Sequence, residues 1–311
     1  MDKKLFDIPV LLITFNRPET TCHVFEQIRK LKPSRLYIFS DAPRNGLPEE
    51  LELVDTCRCF FDESQINWEC KVERWLAETN MGSALGISSA ISWAFETCEK
   101  LIILEDDCLP HPTFFTFCKS MLDRYSTNDR VMHVSGARWN EEVNMRGPDH
   151  FFSLVGNISG WATWKRAWNK YDFWMEQLPE IKNQMRAQRL FKNTDIAKYW
   201  QEKFDEVYGE TKKHTWSIQW QYTLFKNYGL AAVPNVNLIS NIGLEDAYFN
   251  PKRDTELTNS FYETKNWKST GSNVEVRAND QYERNYAERS PGNRGSFSSR
   301  IIQKFRSLMS C

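Results

Sequence analysis

The pattern of apolar and polar positions in the first 135 residues alternates between short apolar runs and longer stretches with helical spacing. Stretches with one apolar face predict helices that begin near Pro18, after Gly82 and at Pro112. The intervening runs predict strands over residues 8–14, 36–39, 69–76, 101–104 and 131–135. Because strands that alternate with helices are typical of parallel sheets with right-handed crossovers, we expect an α/β fold. The pattern therefore predicts a parallel sheet flanked by helices.

One apolar run stands out because three acids follow it directly. Residues 101–104 are all apolar, and Glu105, Asp106 and Asp107 come next. A short run without alternation is typical of a strand buried on both faces. Ligands of open α/β sheets bind beyond the carboxyl ends of the strands, where these acids would lie. Their oxygens suit Mg²⁺ or Mn²⁺, so the triplet indicates either a divalent-metal site or a solvated acidic turn.

The pattern is less regular after residue 135. Gly160-Trp161 leads into a predicted helix that carries Trp164 and Trp168, and Gly229 is the expected C′ residue of a later helix. Beyond about Asn250 the apolar periodicity fades, which predicts a polar C-terminal tail. The other predicted elements are strands over 151–155, 230–233 and 238–240 and helices within 180–208 and over 217–227.

The last eighteen residues are basic and contain no acid. Apolar residues at helical spacing alternate with four cations, Arg294, Arg300, Lys304 and Arg306. A basic amphipathic segment of this kind could lie on an anionic membrane surface. It could equally pack on the domain or form a frayed tail, and the sequence leaves these alternatives open.

Composition narrows the compartment and the partners. The 40 basic and 41 acidic residues nearly balance, and no nucleic-acid-binding motif is present, so nucleic acid is not an expected partner. The N-terminus enters a strand within a few residues and no apolar stretch is long enough to span a bilayer. The eight cysteines lack paired CxxC spacing, so we expect reduced, mostly buried thiols in a cytoplasmic protein. The 12 tryptophans are expected mostly in the core, although such rings also serve as platforms in carbohydrate clefts.

Three loops are expected to converge at the carboxyl edge of the sheet. They contribute Asn16 and Arg17 after the first strand, Asp41 after the second, and the acidic triplet. A cation, an acid that can accept from a base or ribose, and a metal-binding acid together suit a nucleoside diphosphate. The chain has neither a Walker loop nor a GxGxxG motif, so metal and side chains would have to hold the phosphates.

Five motifs resemble those of bacterial nucleotide-diphospho-sugar transferases of the GT-A type, distantly similar to the N-acetylglucosaminyltransferase that initiates complex N-glycan branching. The similarity covers roughly residues 7–250. It implies a Rossmann-like α/β fold with a mixed, mostly parallel sheet flanked by helices and a helical acceptor-side half. The motifs are ITFNRP at 13–18, SDAPR at 40–44, LEDD at 104–107 with Pro112 and Phe114-Phe115 after it, GWATW at 160–164 and PNVNLISNIG at 234–243.

The resemblance implies a role for each acid of the triplet. Asp107 would bind the metal, Mn²⁺ or Mg²⁺, while Asp106 would contact the ribose and Glu105 the donor sugar. Arg17 resembles the basic residue that contacts the nucleotide, and Asp41 the acid that faces the uracil edge.

Four further residues complete the implied donor site. Asn80 and Gly82 lie in the turn before a predicted helix, and Gly160 with Trp161 would wall the sugar and acceptor side. Gly160-Trp161 fits equally well as a helix entry followed by a core tryptophan.

The chain departs from the family pattern where a catalytic base would be expected. Ser217 stands where related sequences carry an acid, and a serine alone does not deprotonate a sugar hydroxyl at neutral pH. Either the base is elsewhere, the mechanism is retaining, or catalysis is impaired. Glu245 and Asp246 are the candidates for the catalytic residues, and His214 is the alternative.

The resemblance implies a metal-dependent glycosyltransferase that moves a sugar, UDP-linked by expectation, to a hydroxyl of a glycan or lipid-linked acceptor. Residues 1–135 would form the nucleotide-binding half of a domain over 1–250, residues 136–250 its acceptor-side half, and 251–311 an extension. Two alternatives remain open, a sugar nucleotidyltransferase and a non-catalytic binding or scaffold subunit. Nucleotidyltransferases usually have a glycine-rich loop after the first strand, which residues 15–18 lack.

Overall fold

The computed structural model describes residues 5–138, 147–183, 194–243 and 263–289. Within these ranges the strands are β1 (Val10–Thr14), β2 (Arg35–Ser40), β3 (Lys71–Leu76), β4 (Lys100–Glu105), β5 (Cys108–Pro110), β6 (Val131–Ser135), β7 (His150–Ser153), β8 (Trp161–Trp164), β9 (Leu230–Pro234) and β10 (Ile239–Asn241). The helices are α1 (Pro18–Leu31), α2 (Glu49–Cys59), α3 (Gly82–Ala94), α4 (Pro112–Arg124), α5 (Lys165–Trp168), α6 (Leu178–Asn183), α7 (Thr194–Gly209), α8 (Ser217–Lys226) and α9 (Asp280–Arg289).

Eight strands form one mixed sheet in the order β3-β2-β1-β4-β8-β6-β9-β7, and β5 and β10 form a separate antiparallel ribbon. Strands β1 to β4 pair in parallel, as do β6 and β9. Strand β8 is antiparallel to both β4 and β6. This is a Rossmann-like α/β fold, and the predicted mixed, mostly parallel sheet with flanking helices is confirmed.

The acid-tipped strand is buried on both faces. Ile102 and Leu104 of β4 pack in one core with α1 and α4, whereas Leu101 and Ile103 pack in a second core with α3. All four side chains are at most 1% exposed. An uninterrupted apolar run satisfies both layers, which explains why β4 lacks the alternation of a half-buried strand.

The register of the parallel strands aligns their carboxyl ends. Ile13 pairs with Glu105, and Thr14 pairs with Ser40. The segments that follow β1, β2 and β4 therefore leave the sheet side by side at one edge.

The predicted helix after Gly160 is wrong at its start. Residues 161–164 form strand β8, and the helix is limited to α5. Trp161 and Trp164 point to opposite faces of the sheet, and the Trp164 indole donates to the carbonyl of Leu122 at 3.0 Å. Tryptophans at 161, 164 and 168 have helical spacing, but the position of β8 between two buried strands determines its conformation.

Two other details differ from expectation. Helix α2 lies in a stretch for which the sequence predicted no element. Helix α8 ends through Tyr228, which has φ 52°, rather than through a left-handed Gly229. The Gly229 N–H donates to the carbonyl of Leu224 at 2.8 Å and completes the cap.

The C-terminal segment over 263–289 packs against the sheet domain. The Trp267 indole donates to the carbonyl of Asp149 at 2.8 Å, and its backbone N–H donates to the Thr113 hydroxyl at 3.1 Å. Phe152 of β7 forms a bridge with Ala278, and Tyr282 of α9 is buried. The division of the chain at residue 250 stays a prediction.

In the portion of the chain that the structure describes, no helix is long and apolar enough to cross a membrane. The basic segment over 294–311 lies outside the described residues. Among the described cysteines, Cys57, Cys98, Cys108 and Cys118 are buried, Cys70 is half-buried, and Cys22 and Cys59 are exposed. The reduced state of these thiols stays a prediction.

Candidate functional site

Arg17 contacts both aspartates that follow β4. Its Nη1 lies 3.1 Å from Oδ2 of Asp107 and 3.6 Å from Oδ1 of Asp106. The register explains this contact, since Arg17 follows the end of β1 closely and β1 pairs with β4. The structure thus brings together three residues that the sequence predicted for one site.

Asp106 is the more buried of the two aspartates, with a side chain 10% exposed against 20% for Asp107. Its Oδ2 accepts from the Phe15 N–H at 3.0 Å. Burial raises the pKa of Asp106 to about 7 and the charge of Asp107 acts in the same direction, whereas Arg17 and the Phe15 N–H oppose the shift. A further cation at this edge of the sheet would therefore stabilise the charged form of Asp106.

Asp107 is hydrogen-bonded to residues of the β5–β10 ribbon and of the segment that follows it. The Ile242 N–H donates to the Asp107 carbonyl at 2.8 Å, and the Cys108 thiol donates to Oδ1 at 3.3 Å. Gly243 lies so close that a Cβ there would come within 2.9 Å of Oδ2 of Asp107 and 3.1 Å of Nη1 of Arg17. This contact could not be predicted from the sequence, because it depends on the pairing of β5 with β10.

Asp41 has a different environment at the end of β2. It is 7% exposed, and its Oδ1 accepts from the N–H groups of Ala42 and Met81, each at 2.9 Å. Its Oδ2 accepts from the Gly82 N–H at 3.0 Å and from the Asn80 amide at 3.3 Å. Two predicted donor-binding residues, Asn80 and Gly82, are therefore partners of a third. Together they fix the start of α3, where Gly82 has φ 72°.

Glu50 of α2 connects the first two loops, and sequence reasoning missed it together with its helix. It is 3% exposed and accepts from the Asn16 amide at 3.0 Å and from the Arg44 N–H at 2.9 Å. The Arg44 guanidinium also binds it, and these hydrogen bonds lower the pKa of Glu50. A buried acid in the first turn of α2 thus holds the loops after β1 and β2 in place.

The remaining predicted donor-site residues differ in their exposure to solvent. They are Glu105, Gly160 and Trp161. Glu105 ends β4 and is partly exposed. Gly160 has φ 57°, and a Cβ there would come within 2.4 Å of Ile239, so a side chain does not fit. Trp161 is 0% exposed and lies in the core, where it does not face solvent.

Trp161 belongs to a buried stack beneath the edge. Its ring stacks on His133 at 5.0 Å and on Trp216 at 5.5 Å between centroids. His133 donates from Nε2 to the Asn157 carbonyl at 2.9 Å and accepts at Nδ1 from the Trp220 indole at 3.1 Å. Burial lowers the pKa of His133 to about 3, so this ring is neutral.

Ser217 and His214 lie near the starts of helices. Ser217 is the first residue of α8, with its Oγ 3.0 Å from Oγ1 of Thr215. The exposed His214 ring pairs with Glu210 at 2.7 Å, and its carbonyl accepts from the Ser83 hydroxyl. His214 therefore lies beside the start of α3. Glu245 and Asp246, the proposed catalytic residues, lie outside the described residues.

The donor set at the β4 end suits a hard divalent cation that takes few ligands from the protein. Among the residues in the described ranges, no group of three or more His, Cys, Asp or Glu side chains could hold a metal ion. The carboxylate of Asp107 is partly exposed and lies beside a second acid. Mg²⁺ typically uses one or two carboxylates and completes its shell with substrate phosphates and water. The residues present fit that mode of binding.

No family model matches the chain, and no curated protein matches it. Among solved structures, a UDP-glucose pyrophosphorylase complexed with UDP-glucose overlaps 78% of this chain and 96% of its own, with 10% identity and a TM-score of 0.35. The inositol-1-phosphate CTP transferase from T. maritima overlaps 73% and 85%, with 10% identity and a TM-score of 0.35. The 4-diphosphocytidyl-2C-methyl-D-erythritol synthase from Anaerococcus prevotii DSM 20548 overlaps 64% and 83%, with 11% identity and a TM-score of 0.29. Values this low carry no argument about activity, and the fold assignment depends on the strand order described above.

Proposed function

We propose that this chain is a glycosyltransferase that moves a sugar from a nucleotide-diphosphate donor, UDP-linked by preference, to an acceptor hydroxyl. The observation that carries the proposal is the contact of Arg17 with Asp106 and Asp107 at the carboxyl ends of two adjacent parallel strands. Ligands of open α/β sheets bind at this place. Clustered carboxylates can bind a divalent metal, and a neighbouring cation can bind the phosphate oxygens of a metal-bound diphosphate.

Asp107 would hold Mn²⁺ or Mg²⁺, and the metal would neutralise charge on the departing diphosphate. Arg17 adds a positive charge at the same edge. Gly243 leaves the space that the carboxylate of Asp107 needs. Asp106 and Glu105 remain the proposed contacts of the ribose and the donor sugar.

Activation of the acceptor needs a base if the reaction inverts the anomeric centre. Glu245 and Asp246 remain the candidates, because they follow Gly243 in the sequence and Gly243 lies against Asp107. The acceptor is proposed to be a glycan or a lipid-linked hydroxyl. Residues 294–311 could bring the enzyme to an anionic membrane surface.

A donor panel tests the proposal. UDP-, GDP- and CMP-sugars are added with Mn²⁺, and thermal shift and sugar release are measured. A ligand that binds only the folded state raises the unfolding temperature, so we expect UDP-sugars to do so in the presence of Mn²⁺ and to be hydrolysed slowly.

The same assay separates the alternatives. Release of pyrophosphate from UTP and a sugar phosphate would identify a nucleotidyltransferase instead. Binding of a donor without turnover, with any hydroxyl acceptor, would favour a non-catalytic subunit.

A further inference from the structure

A groove lies along the edge strand β3, which β2 and β1 separate from the acid-tipped strand β4. It has a volume of about 750 Å³ and is shallow and widely open to solvent. Its walls come from β3, from α3 and from the loop that follows α5. This volume is within the range of ordinary ligand sites, and three partly exposed tryptophans, Trp75, Trp93 and Trp174, dominate its lining.

Core aromatics fix two of these rings from behind. Trp75 packs edge-on against Phe39 at 5.2 Å between centroids, and Trp93 packs against Tyr37 at 5.4 Å. The two indoles are 5.8 Å apart. Rings held in this way lose little conformational entropy when a ligand binds.

The opposite wall is also braced. Trp174 is 53% exposed, although Phe173 packs on it at 5.1 Å and the Lys213 ammonium lies 5.5 Å from its ring centroid. Lys213 is itself fixed, because it donates to the carbonyls of Val207, Tyr208 and Glu210. The Trp174 ring is thus kept in a defined position while about half of the residue remains exposed to solvent.

Hydrogen-bonding groups are interspersed with the rings. The Ser89 hydroxyl, the Glu96 carboxylate and the indole N–H groups of the three tryptophans make no hydrogen bond to any residue that the structure describes. These groups can donate and accept, so the groove does not present a purely apolar surface.

The charge of the groove argues against a phosphate-bearing ligand. Arg74 is the cation in its lining, and its Nε and Nη2 both donate to the Phe61 carbonyl. Glu96 is an acid. An uncharged ligand with many hydroxyls is therefore favoured over a nucleotide.

We propose that this groove, bounded by Trp75, Trp93, Trp174, Ser89 and Glu96, binds an oligosaccharide. The C–H faces of sugar rings stack on aromatic faces, while their hydroxyls both donate to and accept from polar neighbours, which matches the alternation in this lining. The path from Leu85 to Trp93 along α3 is about 12 Å long, enough for more than one sugar ring. The site would hold a glycan against the domain without taking part in chemistry at Asp107, so it stands whether or not the proposed transfer occurs.

Oligosaccharide binding is measured without nucleotide, by saturation-transfer NMR and calorimetry with chitotetraose, cellotetraose and maltotetraose. We expect at least one to bind, and Trp174→Ala to weaken that binding about tenfold. Glu96→Gln, a change at an exposed position that preserves the fold, should weaken it less. Tyr208→Ala removes an exposed ring outside the groove and should leave affinity unchanged, as should Asp107→Asn.

Three results would overturn the proposal. The first is the absence of binding of all three oligosaccharides to the wild-type chain at millimolar concentration. The second is binding that survives Trp174→Ala but is lost in Asp107→Asn, which would place the glycan at the acidic edge. The third is a dimer, seen by light scattering, that Trp174→Ala converts to monomer, which would identify the groove as a subunit interface.

Discussion

Asp41 and Asp107 lie at the same edge of the sheet, but their carboxylates have different surroundings. Three backbone N–H groups and the Asn80 amide donate to Asp41. Asp107 contacts the Arg17 guanidinium and the Cys108 thiol and remains partly exposed. A carboxylate whose oxygens are bound by the backbone stabilises the fold, whereas one that faces a partly exposed cation and solvent can exchange partners with a ligand. A position at a strand end does not by itself distinguish the two.

The largest expected effect separates these roles through stability. Asp41→Ala leaves buried donors without an acceptor, and we expect a loss of about 3 kcal/mol in the free energy of unfolding. Asp107→Ala removes one partner of a partly exposed ion pair and should cost less than about 1 kcal/mol. Urea unfolding measures both, and equal losses would contradict the distinction.

A second test measures whether the core beneath the edge disfavours a charged side chain, as burial does at Asp106. The pKa of His133 is about 3 in the folded protein and 6.5 as its ordinary value. Between pH 6.5 and 3 the ring takes up a proton in the unfolded chain but stays neutral in the folded protein. The free energy of unfolding is therefore highest above pH 6.5 and decreases as the pH falls from 6.5 towards 3. Between pH 6.5 and 5 the loss should be about 2 kcal/mol.

The control for this pH dependence is His133→Gln. This variant is expected to be less stable than the wild type at pH 7, but its stability should change less between pH 6.5 and 5. Parallel curves for the two proteins would show that His133 does not cause the dependence.

A smaller effect concerns the packing around Asp107. Gly243→Ala would force Asp107 and Arg17 apart, and we expect the affinity for UDP with Mn²⁺ to fall about tenfold, equivalent to about 1.4 kcal/mol. Gly209→Ala is the matched control, since a Cβ there meets nothing within 4 Å. If both variants bound UDP equally well, the contact of Gly243 would have no role in the site.

Much of the fold follows from local patterns. The buried run before Glu105 could be recognised because a strand covered on both faces cannot alternate. Helices α1 and α4 begin at the prolines that suggested them, Pro18 and Pro112. Such local signals predict the structure correctly because core packing and backbone preference favour the same element in these segments.

Other elements depend on contacts that are distant in sequence. Strand β8 is inserted between β4 and β6, and its tryptophans have spacing that also fits a helix. Helix α2 has a weak apolar face, and its Glu50 gains significance only through Asn16 and Arg44. Patterns within a single segment do not contain this information.

The site shows the same division. Sequence order alone suggested that Arg17 and the acidic triplet converge, because parallel strands end at one edge. The close contact of Gly243 with Asp107 could not be predicted, and neither could the hydrogen bonds that Asp41 accepts from the start of α3. Both depend on the positions of loops. The roles proposed for Glu245 and Asp246 remain predictions.

Calorimetric titration of UDP in the presence of Mn²⁺ tests the assignment of Asp107 most directly. We expect the wild-type chain and Asp123→Asn, which alters an exposed acid paired with Lys100, to bind UDP with equal affinity. Asp107→Asn should unfold at the same urea concentration as the wild type but bind about a hundredfold more weakly. Unchanged, manganese-dependent affinity in Asp107→Asn would show that the metal and the donor bind elsewhere.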